Sequence, residues 1–427
     1  MLEIVKKHIE QLRLLDPNKP VLVALSGGRD SVALLSVLRN LSYEVIALNC
    51  NFRLRNQESD RDELFVRQLC NHLDVPLTIR HFDTVSYSRT KGISVEMAAR
   101  ELRYQWFENM RLRLKAQAVA VAHHQDDQAE TLLLNITRGT GLRGMCGMKS
   151  KNGYIVRPLL CVGRQQIEQY ISDNHLQYVD DSTNKDTAYK RNNIRHNIIP
   201  QLQTINPNII QTLNQETVIF QNTCLLLDYF VKQQKELICT NTDNCLTINL
   251  DKLKLHPMAQ ELLYEFIRDY GFNGSQAQLI FSNLDSQSGK RYFSADYQLI
   301  KDRNEIIVYL KDKQIIEPQL EIKQRPKAVK EKFPSAKADT AFFDSKVLSR
   351  NLTLRHWQEG DTFHPLGMNG SRKLSDFFTD MKVSLKRKHE LWLLMSGDDI
   401  AWIVGERIDN RFKVTKQTTE VVEITIK

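Results

Sequence analysis

The sequence predicts an α/β protein: an open parallel sheet with helices on both faces, followed by a mostly helical middle region and a small α+β region at the end. Two observations predict it. Short continuous apolar runs, such as Val21-Leu22-Val23-Ala24-Leu25 after Pro20, have the pattern of strands buried on both faces. These runs alternate with longer stretches of helical periodicity from Val21 to Arg138. Strands joined through helices pair in parallel, and such sheets bind ligands beyond the carboxyl ends of their strands.

The expected elements run in order. Val21 to Leu25 is the first strand, and Asp30 to Leu41 carries apolar residues at helical spacing. Glu44 to Leu48 is a second strand and Ser59 to Leu73 a second helix. Pro76 to Phe82 is a third strand. Ser94 to Leu114 is a long amphipathic helix whose first residue suits an N-cap. Ala118 to Ala122 is a fourth strand, with a helix from Asp126 to Arg138 behind it. From Arg164 to Asn222 the pattern is mostly helical, punctuated by Pro200 and Pro207. Helices and a strand-like finish (Tyr297 to Leu310) come next. Gln314 to Lys337, with Pro318, Pro326, Pro334 and a basic excess, reads as a linker or an exposed edge. The expected domains are residues 1–215, a middle domain 216–312, a linker 313–340 and a C-terminal domain 341–427.

Composition bounds the class. At about 150 residues per domain, 427 residues make roughly two to four domains. With 41% hydrophobic and 26% charged residues, whole-chain disorder, collagen and coiled coil are excluded. No apolar run approaches the roughly 18 residues of a membrane span, and the first residues lack the apolar core of a signal peptide. The expectation is a cytoplasmic protein without a membrane partner. Lys plus Arg is 59 against 51 for Asp plus Glu, a net +8 that favours a polyanionic partner such as RNA. The seven cysteines are odd in number and none form C-x-x-C, so free thiols in a reducing compartment are expected, not a disulfide framework or zinc ribbon.

Ser26-Gly27-Gly28-Arg29-Asp30-Ser31 follows the first strand and opens the first helix. Glycines let backbone N–H groups approach an anion, and the helix N-terminus adds positive dipole. Ser26 and Ser31 add hydroxyl donors. Asp30 would repel phosphate unless a metal ion lay between them, which implies Mg²⁺. No G-x-x-x-x-G-K-[ST] occurs, which disfavours kinase-like transfer of a terminal phosphate. The string resembles the PP-loop of the ATP pyrophosphatases, which cleave ATP between the α and β phosphates and transfer AMP to an oxygen. Gly139-Thr140-Gly141-Leu142-Arg143-Gly144 mimics a dinucleotide fingerprint, but it follows a helix and lacks the downstream acid.

The string Ala122-His123-His124-Gln125-Asp126-Asp127-Gln128-Ala129-Glu130-Thr131 lies at the end of the fourth strand, on the same rim as the glycine loop. Asp127 and Glu130, three apart on a helix, share a face, as do Asp126 and Glu130, and such a pair can hold an amine or a metal. Glu96, Arg100 and Arg103 make one stripe of the long helix. Downstream stand Arg157-Pro158-Leu159-Leu160, Asp181-Ser182-Thr183-Asn184 and Arg191-Asn192-Asn193-Ile194-Arg195. Arg191 and Arg195, one turn apart, suit a phosphate or carboxylate fork.

Together these strings resemble the tRNA(Ile)-lysidine synthase family from residue 21 to about 200, and again at Gly360-Asp361 and Lys373-Leu374-Ser375-Asp376-Phe377-Phe378. Many members carry His-x-x-His after the second strand, where this chain has Asn49-Cys50-Asn51-Phe52. The resemblance implies AMP transfer from ATP to the wobble cytidine of a tRNA(Ile) with anticodon CAU, then displacement of AMP by the ε-amine of free L-lysine. It implies ATP binding by Ser26 to Ser31, with Asp30 at Mg²⁺. Asp127 and Glu130 would hold the lysine, one of them taking its proton. Arg103, His123 and Arg195 would stabilise phosphate charge or the lysine carboxylate. The later domains would grip tRNA. A PP-loop tRNA sulfurtransferase is the alternative, disfavoured by the missing cysteine pairs. A dead RNA-binding scaffold would be expected to lack Asp30, Asp127 or Glu130, and all three are present.

Overall fold

The computed structural model describes the chain except for residues 55–56, 181–189, 243–244, 312–317, 329–330, 332, 334–338, 350, 368–369, 382, 384–386 and 389–390. Asp181-Ser182-Thr183-Asn184 therefore lies outside the described residues. The chain divides into two compact units, Met1–Asp228 and Tyr229–Lys427.

The first unit begins with α1 (Leu2–Gln11), β1 (Val21–Ala24), α2 (Arg29–Asn40), β2 (Val45–Asn51), α3 (Gln57–His72) and β3 (Leu77–His81). It continues with α4 (Thr84–Lys91), α5 (Val95–Arg113), β4 (Ala118–Ala120), α6 (Gln125–Arg138) and α7 (Gly141–Met145). The hairpin strands β5 (Lys151–Asn152) and β6 (Ile155–Val156) precede α8 (Arg164–Asp173), α9 (Lys190–Asn193), α10 (Ile199–Ile205) and α11 (Ile209–Ile238). The last of these runs through the division between the units. Each strand and helix expected up to Arg138 is present within a few residues of its expected ends. Ser94 caps α5, its hydroxyl accepting from the Met97 N–H at 3.2 Å.

The sheet order is β3-β2-β1-β4-β6-β5. Every neighbouring pair is parallel except β5 with β6. The chain builds outward from β1 to β3, then returns to lay β4 on the other side of β1. The loops leaving β1 and β4 thus part around a crevice, where sheets of this kind bind ligands. Alternation along β1 feeds two cores. Val21 and Val23 pack with Leu34 and Leu38 of α2, Ile9 of α1, Val66 of α3 and Ile167 of α8. Leu22 belongs to the opposite face, with Leu48, Val119 and the Phe107 and Met110 side chains of α5. Covering both faces in this way requires apolar residues at every strand position, which is why the strands read as unbroken runs.

The second unit departs more from expectation. Its first part holds β7 (Cys239–Thr242), β8 (Cys245–Asn249), α12 (Leu250–Lys254), α13 (Ala259–Ile267), α14 (Gly274–Ser282), β9 (Arg291–Phe293), β10 (Tyr297–Asp302) and β11 (Glu305–Leu310). The strands form an antiparallel sheet in the order β7-β8-β11-β10-β9. The expectation of a mostly helical middle region is corrected to α+β. Only the β10–β11 hairpin announces itself, because β7 to β9 span 3–5 residues, too short for alternation to register.

The last part contains β12 (Leu320–Pro326), β13 (Thr340–Asp344), β14 (Leu352–His356), β15 (Thr362–Phe363), β16 (Arg372–Lys373), α15 (Leu374–Asp380), β17 (Trp392–Ser396), β18 (Asp399–Ile403), β19 (Arg407–Ile408) and β20 (Glu420–Ile426). β12 falls inside the segment 313–340 expected as a linker, and it is an edge strand of the sheet β12-β20-β13. Its pairing partner lies almost a hundred residues downstream, so local sequence carries no trace of it. Pro326 ends the strand, a position an edge tolerates. Trp402 and Phe343 fill one buried cluster, and Phe363, Phe377 and Phe378 another. Among the described residues no helix is long and apolar enough to cross a membrane.

Asp361 organises the turn after β14. Its carboxylate takes both guanidinium N–H groups of Arg355 at 2.8 Å and the Gln358 N–H at 2.7 Å. Burial alone would raise its pKa, but Arg355 and the Gln358 N–H outweigh this and hold the carboxyl below its usual range. Asp361→Asn is expected to destabilise the second unit by about 1–3 kcal/mol in denaturant titrations. Because the folded-state pKa is depressed, the wild-type advantage is full above about pH 4 and fades as pH falls further.

Candidate active site

The loop after β1 is shaped by glycine. Gly27 has φ +88° and sits so close to α3 that a Cβ would lie 3.2 Å from Val66 Cγ2 and 3.3 Å from Phe65 Cδ1. The loop braces itself with its own hydroxyls. Ser31 Oγ donates to the Gly28 carbonyl at 2.8 Å, and Ser26 Oγ accepts from the Gly28 N–H at 3.3 Å. The Arg29 guanidinium turns to Glu168 of α8 at 2.5 Å and lies over the Tyr178 ring, and the Val179 N–H donates to the Gly27 carbonyl at 3.0 Å. The loop is therefore a rigid cup at the N-terminus of α2, the geometry that favours bound anions.

Across the crevice, at the end of β4, the two histidines divide the work. His124 is 1% exposed, with Nε2 3.6 Å from Asp30 and 3.5 Å from Asp127, and Nδ1 3.4 Å from Asp126. Burial alone would lower its pKa, but the Asp126, Asp30 and Asp127 carboxylates raise it to about 10. The carboxylates thus favour a protonated ring: Nδ1 accepts the Asp126 backbone N–H at 3.2 Å, which leaves the proton on Nε2, between Asp30 and Asp127. Asp30 and Asp126 both lie below the usual carboxylate range: burial opposes this, and His124 outweighs it. His123 behaves oppositely. Burial, with Arg157 and Arg191 nearby, pushes it down to about 4 against the pull of Asp127. Its Nδ1 accepts from Arg157 Nε at 3.2 Å, which leaves the ring proton on Nε2 as a neutral donor.

Asp127 and Glu130 share a face of α6, as expected, and the structure brings the Arg191–Arg195 fork onto them. Glu130 is 0% exposed and accepts from Arg191 Nε at 2.7 Å and from Arg195 Nε at 2.6 Å and Nη2 at 3.0 Å. Asp127 Oδ1 accepts from Arg191 Nη2 at 3.1 Å, and Oδ2 accepts the His124 backbone N–H at 3.0 Å. Arg195 belongs to a π-helical turn, Ile194–Ile198, directly after α9, a rare local form common at functional sites. Two acids and two guanidiniums neutralise one another, which is what permits a fully buried carboxylate.

The expected residues Ser26, Gly27, Gly28, Arg29, Asp30, Ser31, His123, Asp127 and Glu130 follow the ends of β1 and β4, with Arg195 joined to them. Arg103 comes from α5 to the neighbouring strand end, its guanidinium over the Phe52 ring just past β2. Arg100 lies over Tyr104, so the stripe of Glu96, Arg100 and Arg103 is not an ion-paired face. Sequence reasoning passed over His124 and Arg157 as site residues. The signal for His124 was its place between two runs of chemistry, β4 and the acids. Arg157 had none beyond its arginine–proline string. At the departure from the His-x-x-His pattern, buried amides take over: Asn49 Nδ2 donates to the Leu25 carbonyl at 2.8 Å and Asn51 Nδ2 to Glu63 at 2.9 Å. Burial pushes the Cys50 thiol up to about 12, so it is inert.

Among the described residues, no three His, Cys, Asp or Glu side chains form a metal cage. Asp30 nevertheless has a buried Oδ1 without a hydrogen-bond partner, beside the phosphate cup. One carboxylate oxygen plus substrate phosphates is a donor set that suits Mg²⁺.

The chain is similar to known proteins along most of its length. Residues 1–202 match the PP-loop domain family, 241–311 the TilS substrate binding domain and 352–424 the TilS substrate C-terminal domain. The chain is 43% identical to the tRNA(Ile)-lysidine synthase of Parabacteroides distasonis, covering 99% of each chain. It is 42% identical to that of Bacteroides thetaiotaomicron, covering 98% of each. Among solved structures it resembles the U34-tRNA thiolase NcsA of Methanococcus maripaludis at 17% identity and TM-score 0.44, over 51% of this chain and 78% of that one.

Gly27→Ala is expected to cost about 1–2 kcal/mol of stability from its left-handed backbone, and to weaken ATP binding measured by calorimetry. Wild-type melting and affinity together would remove the demand for glycine.

Proposed function

Because the chain belongs to the tRNA(Ile)-lysidine synthase family, we propose that it joins L-lysine to C2 of the wobble cytidine of a tRNA(Ile) with anticodon CAU. ATP is its energy source and a tRNA its partner. The observation that carries the chemistry is one crevice holding a phosphate cup on one wall and an acid–arginine cluster on the other. The 2-thiolation reading yields to the lysidine synthase name carried by relatives at 39–43% identity.

The reaction has two halves. The cytosine C2 oxygen bonds to the α-phosphorus of ATP, the bond to the β-phosphate oxygen breaks, and diphosphate leaves. The neutral ε-amine of lysine then bonds to C2 and AMP departs. Backbone N–H groups of Ser26 to Ser31 cradle the phosphates. Asp30 would hold a Mg²⁺, which supplies positive charge to the phosphates when bound. The neutral His123 offers Nε2–H to a phosphate oxygen without adding a repelling charge.

Lysine poses a problem of charge exchange. Its ammonium belongs with Asp127 or Glu130, yet both are already neutralised by Arg191 and Arg195. Phosphate or the lysine carboxylate can draw a guanidinium away, since arginine forks bind either anion. That exchange frees a carboxylate for the ammonium and, in turn, for its proton. Residues 241–311 and 352–424, matched by the substrate domains, would hold the tRNA through Lys and Arg contacts to phosphate. A cytoplasmic setting fits a tRNA substrate and seven free thiols.

Diphosphate release from ATP that requires both tRNA(Ile) and lysine tests the reading, and release without either would count against it. Asp30→Ala is expected to abolish AMP transfer with the fold intact by circular dichroism. Asp127→Asn is expected to retain adenylation while reducing lysine incorporation by about 10- to 150-fold, the range of a charged hydrogen bond worth about 1.5–3 kcal/mol. Glu130→Gln leaves two guanidiniums facing a neutral amide, and the loss of a buried ion-pair partner predicts a cost of about 3–5 kcal/mol in stability. Rapid-quench assays with labelled ATP and labelled lysine separate the half-reactions, and denaturant titrations report the stabilities.

A further inference from the structure

Arg103 differs from the site arginines that pair with carboxylates, and from Arg157, which bonds His123 Nδ1 and the Lys149 carbonyl. Arg29, Arg191 and Arg195 each pair with a carboxylate. Arg103 is half-buried, and no carboxylate lies within ion-pair reach of it among the described residues. Its contact is an aromatic one: the guanidinium carbon lies 5.1 Å from the centre of the Phe52 ring. Phe52 in turn stacks on Phe82 at 5.4 Å and 19°, and Phe82 meets the Trp106 ring edge-on at 6.1 Å. Phe52 directly follows β2 and Phe82 directly follows β3, so the stack stands at the carboxyl ends of the strands.

A half-buried cation needs a partner. An aromatic face attracts the flat side of a guanidinium and leaves the N–H edge unengaged, whereas a carboxylate would occupy that edge. We propose that Phe52 is a positioning residue: backed by Phe82, its ring fixes the Arg103 guanidinium by its face and keeps the N–H edge for the phosphates of ATP. This rests on the function proposed above. As the cytosine oxygen bonds to the α-phosphorus and the bond to the departing diphosphate breaks, negative charge grows on the phosphate oxygens. The Arg103 N–H groups stabilise it without giving up a proton. A donor oriented beforehand acts in the transition state more than in substrate binding.

The test uses the full chain with tRNA(Ile), lysine and ATP. Phe52→Leu keeps an apolar side chain against Phe82 but removes the ring face. It is expected to lower kcat for AMP transfer about 3- to 30-fold, the span of a cation–π contact, with KM for ATP within about twofold and an unchanged melting temperature. Phe52→Tyr is expected to restore the rate. On an Arg103→Ala background, Phe52→Leu should add nothing, because the ring acts only through the guanidinium. Wild-type kcat in Phe52→Leu, failure of Phe52→Tyr to restore it, or additive losses in the double variant would each overturn the proposal. If wild-type protein released no diphosphate with tRNA and lysine, the functional reading itself would fall, a result distinct from any of these.

Discussion

A buried histidine joins the two walls of this candidate active site. His124 leaves β4 with carboxylates on both sides of its ring, and one of them, Asp30, comes from the loop after β1. Three carboxylates so close together would repel one another and resist ionisation without a cation among them. The His124 ring holds the Asp30 and Asp126 carboxyls below their usual range, and it ties the phosphate loop to the strand rim across the crevice. Asp127 accepts the His124 backbone N–H as well, so the same contacts fix the start of α6.

From that link the remaining charges follow. With α6 held, Glu130 falls one turn further along and points into the interior, where two arginines compensate it. The cluster is close to neutral as a whole, yet built from groups of both signs. Such an arrangement can receive a triphosphate, an ammonium or a carboxylate by exchanging partners and not by exposing bare charge. The proposed function, which brings ATP, a nucleobase and a zwitterionic amino acid to one site in succession, is well served by it. His123, one residue away from His124, stays neutral because burial, aided by Arg157 and Arg191, outweighs the pull of Asp127. Adjacent identical residues thus acquire opposite protonation states purely from where each ring points.

Much of this was legible in the chain. The order of strands and helices up to Arg138 could be read because strands buried on both faces are continuously apolar, and amphipathic helices show their period. The phosphate loop was legible because the left-handed turn at Gly27 is a local demand that glycine meets. The pairing of Asp127 with Glu130 on one face follows from helical spacing alone. What escaped were short strands such as β7 and β9, the edge strand β12 and the partners of each charge. Strands of a few residues carry no measurable alternation, and β12 is defined by hydrogen bonds to β20, which lies in the chain about half the second unit away.

Sequence by itself determined the local chemistry: which residues can turn tightly, which acids share a helix face, which run forms a strand. Tertiary structure alone decided what those groups are. It raised the His124 pKa and lowered that of His123, closed Arg191 and Arg195 onto Glu130, and laid Arg103 on the Phe52 ring. The physical reason is that backbone geometry depends on near neighbours in the chain. Protonation and ion pairing depend instead on burial and on every charge within a few ångströms, and those neighbours arrive only when distant segments fold together.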